Sequence, residues 1–74
     1  MAESVYRVTE VVGTSTESWE RAATVAVETA GKTLRDLRIA EVVQLDMTIE
    51  DGRVQAYRAR VKISFKLETD APTT

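Results

Sequence analysis

Residues 54–67 alternate almost without a break, and few chain folds can accommodate that pattern. Tyr57, Ala59, Val61, Ile63, Phe65 and Leu67 share one parity; Arg58, Arg60, Lys62, Ser64 and Lys66 share the other. A period of two over such a length is a β-strand with one apolar face and one charged face. Residues 39–50 repeat the period, with Val43, Leu45, Met47 and Ile49 on one face and Val42, Gln44, Asp46 and Thr48 on the other. Between the two strands, Glu50-Asp51-Gly52-Arg53 carries the Asp-Gly turn signal of a hairpin. For both apolar faces to point the same way, odd residues must oppose odd ones. A two-residue loop with 50 opposite 53 breaks that parity, so a loop of three or five residues with a bulge at Gly52 is expected.

Upstream, Val5-Tyr6-Arg7-Val8-Thr9-Glu10-Val11-Val12 is rich in β-branched residues and stops at Gly13, which reads as a short first strand. A helix follows. Thr14 with Glu17 fits a capping box and Ser15 is an equally good N-cap. Trp19, Ala22, Ala23, Ala26, Val27, Ala30, Leu34 and Leu37 then recur at spacings of three and four along one stripe. The stripe is mostly alanine, so the helix backbone can lie close to whatever it covers. Gly31 weakens a helix by about 1 kcal/mol relative to alanine and marks an expected close approach of another backbone. The order is β-α-β-β, an α+β chain. With the long third strand in the centre, a sheet of order 1-3-2 makes every neighbouring pair antiparallel. The tail 69–74, with Pro72, reads as a frayed end of a single domain spanning 1–74 and ordered over about 4–68.

Composition narrows function. The chain has 74 residues, no cysteine and no histidine. Disulfides, thiolate metal sites, thiol nucleophiles and the commonest neutral-pH acid–base residue are therefore all excluded. Ten Lys+Arg against twelve Asp+Glu give a net charge of −2, unlike the basic excess of a nucleic-acid binder. No apolar run is long enough to span a membrane, and the polar start has no signal-peptide core, so a cytoplasmic location is expected. No paired-carboxylate or lysine-based catalytic motif is visible, which argues against an enzyme. A single core of this size seldom supplies more than about 3–5 kcal/mol. Without disulfides, a homo-oligomer or a cation bound through oxygen ligands is the expected remedy.

Several residues allow two readings. Arg58, Arg60 and Lys62 form either a solvated face that discourages edge pairing or a phosphate-binding row. Trp19, at the helix start, is either a packing or interface residue or a stacking platform. Asp46, Glu50 and Asp51, near the hairpin end, are either turn and pairing residues or oxygen ligands for a hard cation such as calcium.

The run Tyr6-Arg7-Val8, Gly13-Thr14-Ser15, Ser18-Trp19-Glu20, Ala40-Glu41-Val42, Tyr57 and Phe65-Lys66-Leu67-Glu68 resembles the dodecins across residues 5–68. That resemblance implies a β-α-β-β protomer whose sheet wraps one helix, assembled as a dodecamer into a hollow sphere. Most dodecins bind flavins, stacking the ring on a Trp at the start of strand two and hydrogen-bonding it from a Gln on strand three. Here those positions are Ile39 and Arg58. A mid-strand Arg that suits a phosphate is Asp46. An aliphatic residue, a cation and an anion have replaced a plate, a neutral amide and a cation, so flavin binding is not the expected function.

The chain looks most like the calcium dodecin subgroup, through Ser18-Trp19-Glu20, Gln44-x-Asp46-Met47, Tyr57-Arg58 and Ser64-Phe65-Lys66. The function this resemblance implies is non-enzymatic calcium binding or buffering at intersubunit sites. Asp46 is the leading ligand candidate, with Glu50, Asp51 and Glu20 behind it. A cross-strand pair with Arg58 is the competing role for Asp46. Flavin or nucleotide storage, with Arg58 and Arg60 on phosphates, and a purely structural scaffold are the alternative functions.

Overall fold

The computed structural model describes residues 3–67, in the order β1 (Tyr6–Ser15), α1 (Trp19–Ala30), β2 (Leu37–Glu50) and β3 (Arg53–Lys66). The expected tail, 69–74, lies outside the described residues. As expected, the long β3 is central: the sheet order is β1-β3-β2, and both pairings are antiparallel. One helix packs on one face of this sheet.

β1 does not stop at Gly13. It continues to Ser15 in unbroken register with β3, placing Gly13 opposite Ala59 and Ser15 opposite Tyr57. The residues expected to cap the helix are thus drawn into the sheet. The N-cap is Ser18 instead, an extended residue whose hydroxyl accepts from the Arg21 N–H at 3.0 Å. Ser15 keeps a local role, its hydroxyl accepting from the Glu17 N–H at 2.9 Å.

At the other end the helix stops at Ala30, earlier than the apolar spacing suggests. Leu34 and Leu37 still pack against the core, Leu34 from a turn and Leu37 as the first residue of β2. Bonds from Lys32 N to Thr29 O and from Thr33 N to Ala30 O tighten the final turn. Helix and turn present their apolar residues at the same intervals, so spacing alone extends the helix too far.

The close backbone approach also lies elsewhere than expected. A Cβ on Gly31 would meet only ordinary contacts, the nearest at 3.5 Å. A Cβ on Gly13 would run into the Ala22 carbonyl oxygen and come within 2.9 Å of the Ala26 Cβ. Gly13, Ala22 and Ala26 therefore let α1 settle directly on β1 and β3.

The hairpin corrects a further expectation. Asp51 and Gly52 form a two-residue loop, both with positive φ (54° and 75°), and Glu50 pairs with Arg53. Parity is restored inside the sheet, because the register skips Gln55 between the Ile49–Val54 and Thr48–Ala56 pairs. Odd then opposes odd from Met47–Tyr57 to Leu45–Ala59. A second shift at Val43 puts Val42 opposite Val61, on the helix side rather than among the outer-face charges.

The core is small. Its buried residues are Ala22, Ala26, Ala30, Ala56, Ala59, Val61 and Ile63, and five of these seven are alanine. The helix covers β1 and β3 and leaves most of β2 bare. The chain is elongated, 59 × 20 × 14 Å, with a radius of gyration of 15.7 Å where a compact domain of this length has roughly 11 Å. Its accessible surface is 5519 Å², against the roughly 4500 Å² of a compact 8.2 kDa monomer.

The Gly13 contact can be tested directly. Gly13→Ala forces the helix off β1, and overpacking of this kind costs about 1–3 kcal/mol. Urea unfolding followed by circular dichroism should show a midpoint lowered accordingly, whereas Gly31→Ala should be neutral or slightly stabilising.

Candidate functional site

The cross-strand pair Asp46–Arg58 is the centre of the charged, outer face. The register sets the two residues directly opposite each other. Arg58 Nε donates to Asp46 Oδ1 at 2.8 Å and its terminal nitrogen donates to Oδ2 at 2.9 Å, a bidentate fork. The hydrogen bond from Arg58 holds the Asp46 carboxyl below its usual range. Desolvation opposes that shift, while the charges of Arg58 and Arg60 add to it. The same fork raises the Arg58 guanidinium further above its already high value.

Asp46 is also tied to the helix side, through its backbone. Its carbonyl accepts from the Trp19 indole N–H at 3.0 Å. The Trp19 ring meets Tyr57 edge-to-face, with centroids 5.1 Å apart and planes at 68°. Of its two sequence readings, Trp19 therefore takes the packing one: it pins the start of α1 to the β2–β3 ladder.

Arg60 and Lys62 on the same face also stand near acids. Arg60 lies 3.5 Å from Glu10, and Lys62 stands between Glu10 on β1 and Glu41 on β2 in the register. Glu10 was not singled out from sequence, although its position in β1 opposite the charged parity of β3 was a usable signal. With Arg58 and Arg60 both facing carboxylates, this face presents a balanced ladder rather than a bare row of cations.

The remaining candidates are scattered. Glu50 accepts from the Gln55 amide at 2.8 Å, and Gln55 in turn accepts from the Thr48 hydroxyl at 3.2 Å. Asp51 is exposed in the hairpin loop, and Glu20 is exposed in the first turn of α1. Among the described residues, no three Asp or Glu side chains come together as a cation site. Ile39 opposes Ser64 at the far end of the sheet from Arg58, 66% exposed. Six residues of β3 separate the two levels, roughly 20 Å. One protomer thus brings together neither the flavin-type positions nor the acidic candidates.

A feature the sequence reading missed lies on the helix side. Trp19, Glu20, Ala23, Thr24, Val42 and Leu45 line an open, largely apolar groove of about 470 Å³ between α1 and β2. It exists because the shift at Val43 turns Val42 inward, which strict alternation could not reveal.

A small β-α-β-β protein with one helix on a three-stranded antiparallel sheet, and with a charged cross-strand ladder on its other face, is the class these features define. Residues 5–68 match the family described as Dodecin. The chain belongs to the dodecin family. It is 39% identical over 69 residues to the calcium dodecin of Mycobacterium tuberculosis, covering 93% of this chain and 97% of that one. It is 41% identical over 64 residues to a dodecin of Thermus thermophilus, covering 86% and 93%. The structure of dodecin from Streptomyces coelicolor superposes with a TM-score of 0.86 at 44% identity, covering 95% of this chain and all of that one. The Mycobacterium tuberculosis structure, a calcium-chelating immunodominant antigen with a novel calcium-binding site, superposes with a TM-score of 0.78 over 95% and 100% of the chains.

The depressed Asp46 carboxyl gives a signed prediction. A group whose folded pKa lies below its ordinary 3.8 stabilises the fold above that value, and the contribution disappears as the pH falls through the folded pKa. Asp46→Asn should therefore lower stability at neutral pH. Urea titrations across the acid range should show the gap to the native protein shrinking only below pH 3.8.

Proposed function

We propose that this protein is a non-enzymatic dodecin that assembles as a homododecamer and binds calcium at sites shared between subunits. The observation that carries the reading is the Asp46 carboxylate, 34% exposed on the outer face at the position where a flavin-type site has a cation. Each carboxylate oxygen keeps acceptor capacity beyond its bond to Arg58. Calcium takes six to eight oxygens in flexible geometry, so a carboxylate, backbone carbonyls and waters from adjoining chains suffice together. Similarity to the Mycobacterium tuberculosis calcium dodecin over nearly the whole chain supports calcium as the ion. Elongation and excess surface support assembly.

Flavin storage finds less support. Ile39 offers no ring for stacking, a contribution worth roughly 0.5–1.5 kcal/mol beyond area burial. Arg58 is already committed to Asp46. Titration with riboflavin should produce little fluorescence quenching, and submicromolar quenching would restore the flavin reading.

Thermal unfolding tests the calcium reading. A ligand bound only by the assembled, folded state raises the melting temperature by mass action, by about 2.7 kcal/mol in stability at a hundred times Kd. Native protein should melt higher in calcium than in chelator, and Asp46→Asn should lose most of that increment. If native protein melts alike in both, calcium binding is refuted and a structural scaffold becomes the better description. If the increment survives in Asp46→Asn and disappears in Asp51→Asn or Glu20→Gln, the ion sits at those acids instead.

A further inference from the structure

The apolar face of the sheet does not end where the helix ends. β1 pairs with β3 only as far as Ser15–Tyr57, and α1 begins at the same level, where Trp19 meets Tyr57. Residues 48–56 continue past that point as a bare two-stranded arm, roughly 15 Å long. The register places Ile49 and Val54 on the helix side of this arm, with Met47 at its base, and Thr48, Glu50 and Gln55 form a hydrogen-bonded group through their side chains. Ile49 is 69% exposed, Val54 50% and Met47 43%. An isolated two-stranded hairpin is marginal in water, and this one presents its apolar residues to solvent. Immediately behind it, on the same side of the sheet, lies the groove lined by Trp19, Glu20, Ala23, Thr24, Val42 and Leu45.

We propose that the hairpin arm of one copy seats in the α1–β2 groove of a neighbouring copy, making this groove an intersubunit socket. The inference rests on the self-assembly proposed above and names the surfaces that carry it. Three observations favour a second copy as the occupant. Arm and groove are chemically matched, aliphatic side chains against an apolar trough, and neither has a covering element among the described residues of its own chain. The surface beyond that of a compact monomer is of the order a standard interface buries per partner, about 800 Å². The rims also carry opposite charges: Arg53 sits at the arm's tip and Glu20 on the groove's lip, and neither is ion-paired among the described residues.

The chain has no cysteine, so introduced thiols report without background. Ile49→Cys and Thr24→Cys chains are co-expressed, treated with a short bismaleimide and resolved on a denaturing gel, with assembly measured by light scattering. Covalent dimers should form in the mixture and be scarce with either variant alone. A large assembly that yields no mixed dimer overturns the arm-in-groove contact while leaving self-assembly intact. A monomer by light scattering overturns both. As a second variant, Ile49→Glu places a charge on a residue exposed within its own protomer. It should keep the helix signal in circular dichroism yet shift the scattering mass to smaller species. An Ile49→Glu protein of undiminished mass overturns the proposal.

Discussion

The contact of α1 with β1 through Gly13, Ala22 and Ala26 decides the remaining architecture. With no Cβ on one side and only methyl groups on the other, the helix lies against the backbone of β1 and over the alanine, valine and isoleucine of β3. A helix pulled so far to one side cannot also shield β2. Val42, Leu45, Met47 and Ile49 are consequently left with open space on the helix side. Close packing at one edge of the sheet and bareness at the other have a single cause.

The central position of β3 was legible because only the order 1-3-2 makes every neighbouring pair antiparallel, and its length and alternation suit that place. Parity also required one extra residue in the hairpin. Its location was not legible. Asp51-Gly52 suits a two-residue turn so well, both residues adopting positive φ, that the turn stays tight and the extra residue moves to Gln55. Helix limits failed for a related reason. Thr14 and Ser15 are good caps by chemistry, but ladder bonds to Arg58 and Tyr57 outcompete one capping bond, and Ser18 takes the role. Local preference decides only where tertiary pairing leaves the choice open.

For the site, alternation permitted the Asp46–Arg58 pair as one of two roles for Asp46, since matching parities on adjacent strands put both side chains on one face. The bridge from the Trp19 indole to the Asp46 carbonyl was not legible. It depends on where the helix starts, which the sequence misplaced, and on a backbone acceptor that has no sequence signature. The bidentate fork bears on ligand chemistry as well. An arginine held in two charge-assisted bonds has less to offer a phosphate, and an aspartate so held greets a cation with part of its charge already balanced. Affinity for any ion at Asp46 is then modest unless further oxygens converge from adjoining chains.

In the assembly proposed above, folding, assembly and ligand binding are coupled. Among the described residues the only large side chains that are fully buried are Val61 and Ile63, and the rest of the buried core is alanine. A fully buried valine or isoleucine contributes about 1.5–3 kcal/mol, and an alanine much less. Such a core stands close to the limit below which small domains need staples, and cysteine-free sequence rules out the covalent kind. In a self-assembled form, contacts between copies supply part of the stability of each protomer, and stability depends on protein concentration. A ligand held at those contacts strengthens the same equilibrium, whichever residues supply its oxygens. Asp46 occupies a pivotal place in that linkage, because its carboxylate orders the outer face while its carbonyl holds Trp19 at the mouth of the groove.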